Sequence, residues 1–129
     1  MIVDSSAVVA IAVDGAEAGA IVELLEVTPW VQMSAATLVE ASVMLGSVGQ
    51  RFLDGWISNT GCLVVPFDEA QSAVARRAYR EYGRGSGSKA RLTVGDCFAY
   101  ALARVTGEPL LFTGAEFAHT DVTPAYPRG

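Results

Sequence analysis

Cysteine and histidine are scarce in this 129-residue chain: there are two of the first, Cys62 and Cys97, and one of the second, His119. Two widely separated cysteines make neither a disulfide framework nor a CxxC pair, and they read as buried reduced thiols. A zinc site built from His and Cys has too few ligands. A Ser-His-Asp triad would have to use His119, and no GxSxG turn accompanies it. The glycine-rich residues 83–87 lack the GxxxxGK[ST] pattern, which excludes a P-loop. No stretch approaches the roughly 18 to 20 apolar residues that span a bilayer. The opening fifteen residues hold two acids, Asp4 and Asp14, and no basic region, unlike a secretory signal. These absences predict a soluble, cytoplasmic protein without a membrane partner.

What is present is apolar. Hydrophobic residues make up 51% of the chain and charged ones 18%, enough for one packed core and too apolar for disorder. The length predicts one domain over residues 1–129. The net charge of −5 is unevenly spread. Arg76, Arg77, Arg80, Arg84, Lys89 and Arg91 cluster against a single acid, Glu81, so a basic patch sits on a strongly acidic body. Arg76, Arg80 and Arg84 share one helical face. The patch suits the phosphates of a nucleic acid such as RNA, or else is a solvated helix face.

Hydrophobic periodicity predicts alternating short strands and helices. Strands are expected at Met1–Asp4, Trp30–Met33, Cys62–Val65 and Leu110–Phe112, with a short fifth at Thr120–Val122. Between them lie an apolar Ser5–Val13 stretch and helices at Ala16–Val27, Thr37–Leu45 (stopped at Gly46), Gln50–Ser58, Glu69–Tyr82 and Thr93–Thr106. Residues 83–89 read as a mobile basic loop. The pattern is α/β: three α/β/α layers around a parallel sheet of four to five short strands. In such sheets function collects outside the carboxyl ends of the strands.

Four acids fall there: Asp4, Glu40, Asp96 and Glu116, each among small or apolar neighbours. Isolated carboxylates are costly to bury unless paired or bound to a cation. Oxygen donors without His or Cys favour Mg²⁺ or Mn²⁺, which can acidify a water and stabilise charge on a phosphate under attack. An alternative reading stays open. Thr37-x-x-Glu40, Thr93-x-x-Asp96 and Thr113-x-x-Glu116 all match a capping box, and Asp4 can cap a helix beginning at Ser5 or Ser6. Ser6 and Thr113 lie near two of the acids and can orient a water. Trp30, Trp56, Tyr79, Tyr82 and Phe98 read as core or interface residues before base-stacking ones, and His119 as a surface residue.

Four segments, in order, carry a resemblance that covers essentially the whole chain: Met1-Ile-Val-Asp-Ser-Ser-Ala7, Leu38-Val-Glu-Ala-Ser42, Leu92-Thr-Val-Gly-Asp-Cys-Phe-Ala-Tyr-Ala101, and Pro109-Leu-Leu-Phe-Thr-Gly-Ala-Glu-Phe117 followed by Thr120-Asp121-Val122. The chain resembles PIN-domain proteins, and among them the VapC-type toxins of type II toxin–antitoxin pairs. The resemblance implies a Mg²⁺- or Mn²⁺-dependent endoribonuclease. In it Asp4, Glu40 and Asp96 match the three principal acids, Asp4 and Asp96 holding the metal and Glu40 completing the shell or orienting the attacking water. Relatives often carry two adjacent acids before the phenylalanine, where this chain has Ala115 and Glu116. Glu116 is thus implied as the fourth catalytic acid, with Asp121 as a more distant contact. With an RNA substrate, the basic patch read from the charge distribution makes Arg76, Arg80, Arg84, Lys89 and Arg91 the expected RNA-binding side chains. A VapB-type antitoxin, a toxin homodimer and a toxin–antitoxin hetero-oligomer are also implied, with contacts expected on the apolar helices near 16–27 and 50–58.

Two other classes remain. A receiver-like phosphoacceptor module would want paired acids after strand one, an Asp ending strand three and a Lys near strand five. Here Asp4 stands alone, strand three ends Val65-Pro66 and Lys89 lies in a loop. A catalytically silent interaction protein would use the same acids only as caps.

Overall fold

A computed structural model describes residues 1–126. Four short strands form one parallel sheet in the order β3-β2-β1-β4, with β1 at Ile2–Val3, β2 at Gln32–Ser34, β3 at Leu63–Val65 and β4 at Leu110–Leu111. The strand residues point alternately to the two faces, as a pleated backbone requires. Ile2 and Leu110 join one core with Leu92, Tyr100, Leu102 and Phe117. Val3, Met33 and Leu111 join the other with Val8, Ile21, Leu53 and Trp56. Ile2, Val3, Leu110 and Leu111 are wholly buried. A strand of two residues is sufficient here because burial on both faces contributes about 1.5–3 kcal/mol per side chain.

The helices supply the outer layers. Helices α1 (Ser5–Ala12), α2 (Ala18–Glu26) and α3 (Ala35–Thr60) cover one face, and α4 (Glu69–Tyr82) and α5 (Val94–Thr106) cover the other. This is the three-layer α/β/α architecture that the alternation of apolar segments predicts. None of these helices is long and apolar enough to cross a membrane.

The helices expected at Thr37–Leu45 and Gln50–Ser58 are both present, as the two parts of α3 on either side of Gly46, whose φ 69°, ψ −176° breaks the helix. Two local readings need correction. No strand forms at Thr120–Val122. The chain pairs with β4 two residues later, where Leu110 N–H donates to Thr123 O and Ala125 N–H donates to Leu110 O. The 83–89 segment is tied down. A bridge joins Gly83 to Leu92, Arg84 N–H donates to Leu92 O, and the Ser86 hydroxyl donates to Gly83 O at 2.6 Å. Ser86 and Ser88 side chains then accept the N–H groups of Ser88 and Ala90. Gly85 and Gly87, both at positive φ, supply the turns that this closure needs.

Candidate active site

Helices in a parallel α/β sheet run against the strands, so their N-termini gather at the strands' carboxyl ends. Three acids arrive there by that rule. Asp4 directly follows β1 and is the N-cap of α1, its Oδ2 accepting Ser6 N–H at 3.0 Å. Glu40 projects from α3, whose N-cap is Ser34 rather than Thr37. Asp96 stands in the first turn of α5 and completes a true capping box: Thr93 N–H donates to Asp96 Oδ2 at 2.9 Å, and Asp96 N–H to Thr93 Oγ1 at 3.2 Å.

The capping account therefore holds for Asp96, partly for Asp4, and fails for Glu40. With Ser34 as cap, Glu40 lies in the second turn, beyond the unsatisfied N–H groups of the helix start. Its Oε1 accepts the Ser5 hydroxyl at 2.6 Å. Its Oε2 occupies the space that a side chain at position 95 would take, since a Cβ on Gly95 would overlap it. Gly95 and Ser5 thus position Glu40. The sequence marks neither as a site residue, although Ser5 adjoins Asp4 and Gly95 adjoins Asp96.

Asp4 is 1% exposed, and its Oδ1 has no hydrogen-bond partner. Burial pushes its carboxyl up to about 7, and the neighbouring charges of Asp96 and Glu40 push the same way. Glu40 is also raised, chiefly by burial and further by Asp96, against the Ser5 hydrogen bond. Asp4, Glu40 and Asp96 are thus within electrostatic reach of one another. Among the described residues no group of three or more His, Cys, Asp or Glu side chains is placed to hold a metal ion. The donor chemistry still fits a hard divalent cation. The buried Asp4 oxygen is unpartnered, the neighbouring donors are carboxylates, and Mg²⁺ commonly takes only one or two protein carboxylates and keeps several waters.

Glu116 is placed differently. It is exposed, and its charge is not among those acting on Asp4 or Glu40. It lines a cavity of about 250 Å³ with Arg84, Lys89, Ala90, Arg91, Ala115 and His119. Arg76 and Arg80 face a separate, apolar groove of about 400 Å³ with Phe67, Tyr79, Val94 and Phe98. The basic patch is therefore divided. Ser6 Oγ accepts Thr113 N–H at 3.0 Å and ties the loop after β4 to α1. Asp121 accepts the Tyr100 hydroxyl at 2.6 Å and pairs with Arg104 at 3.7 Å, toward the far half of α5.

The comparisons bear on this geometry. The PIN domain family model matches residues 1–122. The chain is 46% identical over 129 residues to Ribonuclease VapC42 of Mycobacterium tuberculosis, covering 97% of this chain and 98% of that protein. Two solved structures share the fold: a toxin–antitoxin complex from Klebsiella pneumoniae (TM-score 0.72, 17% identity, 97% of each chain) and M. tuberculosis VapC20, described as a Sarcin-Ricin loop cleaving toxin (TM-score 0.70, 19% identity, 95% of this chain and 98% of that one). The chain belongs to the PIN-domain family, on the VapC ribonuclease branch.

Proposed function

We propose that this chain is a divalent-cation-dependent endoribonuclease toxin of the VapC kind, cleaving RNA phosphodiester bonds and neutralised by a VapB-type antitoxin. The observation that carries the reading is the buried, unpartnered Asp4 oxygen beside Glu40 and Asp96, in a chain that matches a named ribonuclease over nearly its full length. Asp4 and Asp96 would hold the cation, Mg²⁺ or Mn²⁺, directly or through water. When bound, it supplies acidification of a water and neutralises charge building on the attacked phosphate. Glu40, held by Ser5 and half-buried, orients the attacking water and accepts its proton at the oxygen facing Gly95. Asp4 and Glu40 must both be ionised for this, and the cation's charge favours that state.

Antitoxin binding is supported by a surface groove of about 390 Å³ between α2 and the second half of α3, lined by Val22, Leu25, Trp56 and Asn59 among others. A helix of an antitoxin suits such a groove. The homodimer belongs to the same reading, and the exposed Val39, Val43 and Met44 before Gly46 and Val48 just after it support it.

The test is cleavage of total cellular RNA by antitoxin-free protein with Mg²⁺ or Mn²⁺. Discrete fragments are expected, lost with EDTA and lost in Asp96→Asn. Undiminished cleavage by a correctly folded Asp96→Asn would overturn the assignment.

A further inference from the structure

The cavity under Arg84, Lys89 and Arg91 holds charges of both signs that have not met. Three cations and Glu116 line one space, yet among the described residues neither of the ion pairs within 4 Å includes any of them, and no side-chain hydrogen bond is made by Arg84, Lys89, Arg91, Glu116 or His119. Three like charges around one hollow attract an anion. The exposed Glu116 carboxylate beside them is free to accept N–H donors from a ligand, since an ionised carboxylate only accepts. One ligand class carries both features: a nucleotide, with an anionic phosphate and a base edge bearing N–H groups.

The place agrees with this. Along the chain, both walls adjoin segments that carry the acidic site, although none of Asp4, Glu40 and Asp96 lines the cavity. Lys89–Arg91 leads through Leu92 to Thr93 and Asp96, and Glu116 lies on the loop that Thr113 pins to Ser6 beside Asp4. Arg91 is at positive φ (49°), as Asp14 is in the turn after α1; such a conformation persists where the surroundings over-determine it. Gly114 is at φ +85°, and its missing Cβ leaves room for Glu116 Oε2, which would otherwise lie at 2.6 Å. At about 250 Å³ the hollow is a little smaller than a pocket for a drug-sized ligand, and suits one unpaired nucleotide rather than a duplex.

We propose that this cavity is a guanosine subsite for the RNA strand: Arg84, Lys89 and Arg91 take a phosphate flanking the one cleaved, and Glu116 accepts the guanine N1–H and N2–H. The proposal rests on the ribonuclease reading. Guanine alone among the four bases presents two adjacent N–H donors that one carboxylate can accept together. The His119 ring offers a face for the base to stack on. Glu116 becomes a specificity residue rather than a fourth catalytic acid, and Arg76 and Arg80 are left out of the strand's path.

The test is a titration of the full chain with GMP, AMP, UMP and inorganic phosphate in EDTA, followed by backbone amide NMR shifts. The expected result is shifts at the 84–91 and 114–119 amides, with GMP tighter than AMP or UMP by about five-fold or more, the lower end of what a bidentate base contact discriminates. Glu116→Gln should bring that ratio close to one while inorganic phosphate binds as before, and its spectrum reports its own folding. Replacing Arg84, Lys89 and Arg91 with Gln should weaken every nucleotide alike. Equal binding of GMP and AMP, inorganic phosphate binding as well as GMP, shifts elsewhere on the chain, or no binding at millimolar GMP would each overturn the subsite. Cleavage plays no part in this titration, so loss of the subsite and loss of the nuclease reading are separate results.

Discussion

At the residue scale, two residues make different demands on the acidic site. Asp4 is buried with its carboxyl raised from 3.8 to about 7. Between these values the folded chain holds a proton that the unfolded chain releases, so the stability from this group is full below about 4 and is lost as pH rises through about 7. Glu40 is shifted the same way. In EDTA, the urea midpoint of the wild type is expected to fall between about pH 5 and about pH 8 by more than that of Asp4→Asn. Parallel midpoints in the two proteins would remove Asp4 as the cause. Gly95 makes the second demand. An alanine there gains helix propensity, about 1 kcal/mol relative to glycine, yet its methyl takes the place of Glu40 Oε2. The displaced atom is the end of a flexible side chain, so the fold accommodates the change and Glu40 moves. Gly95→Ala is expected to unfold no more easily than wild type and to cleave RNA about ten- to a hundred-fold more slowly. Full activity would show that Glu40 need not stand where it does.

At the scale of elements, α3 shows what local sequence conveys and what it does not. Gly46 reads as a stop, and the structure does break the helix there, because φ 69° with ψ −176° is open essentially to glycine alone. Gly46→Ala is expected to cost about 1–3 kcal/mol, measured by chemical denaturation, although a Cβ there meets no atom within 4 Å. An unchanged midpoint would mean that the kink can straighten. The start of α3 is less legible. Thr37 and Glu40 match a capping box in spacing, but Ser34, at the end of β2, takes the cap three residues earlier. Strand length decided this, and strand length depends on pairing with β1 and β3 rather than on local pattern. The same holds for the edge beside β4, where a short strand is expected at Thr120–Val122 and the pairing falls at Pro124. The bounds of α4 were legible to the residue, since Asp68 caps it and Gly83 ends it.

At the scale of the molecule, the acids come from the N-termini of α1, α3 and α5, which lie on both faces of the sheet. Their gathering was legible because strand order and helix direction in a parallel sheet leave those termini one end to occupy. The separate placement of Glu116 was not, because it hangs on the loop after β4, where Gly114 at positive φ and a single 3₁₀ turn at Phe117–His119 set its direction. On the proposed reading, the same geometry would give a bound cation a global effect. A ligand held by Asp4 and Asp96 joins α1 in one layer to α5 in the other, and binding only the folded chain raises its stability by about 2.7 kcal/mol at a hundred times Kd. Unfolding should therefore shift as one transition under Mg²⁺ or Mn²⁺, with the largest gain above about pH 7, where Asp4 is ionised without help. Asp96→Asn should lose most of that gain, and Glu116→Gln should keep it. Thermal melts with cation or EDTA decide the matter. An equal shift in Asp96→Asn and wild type would place the cation elsewhere, and a loss of the shift in Glu116→Gln would return that residue to the metal site.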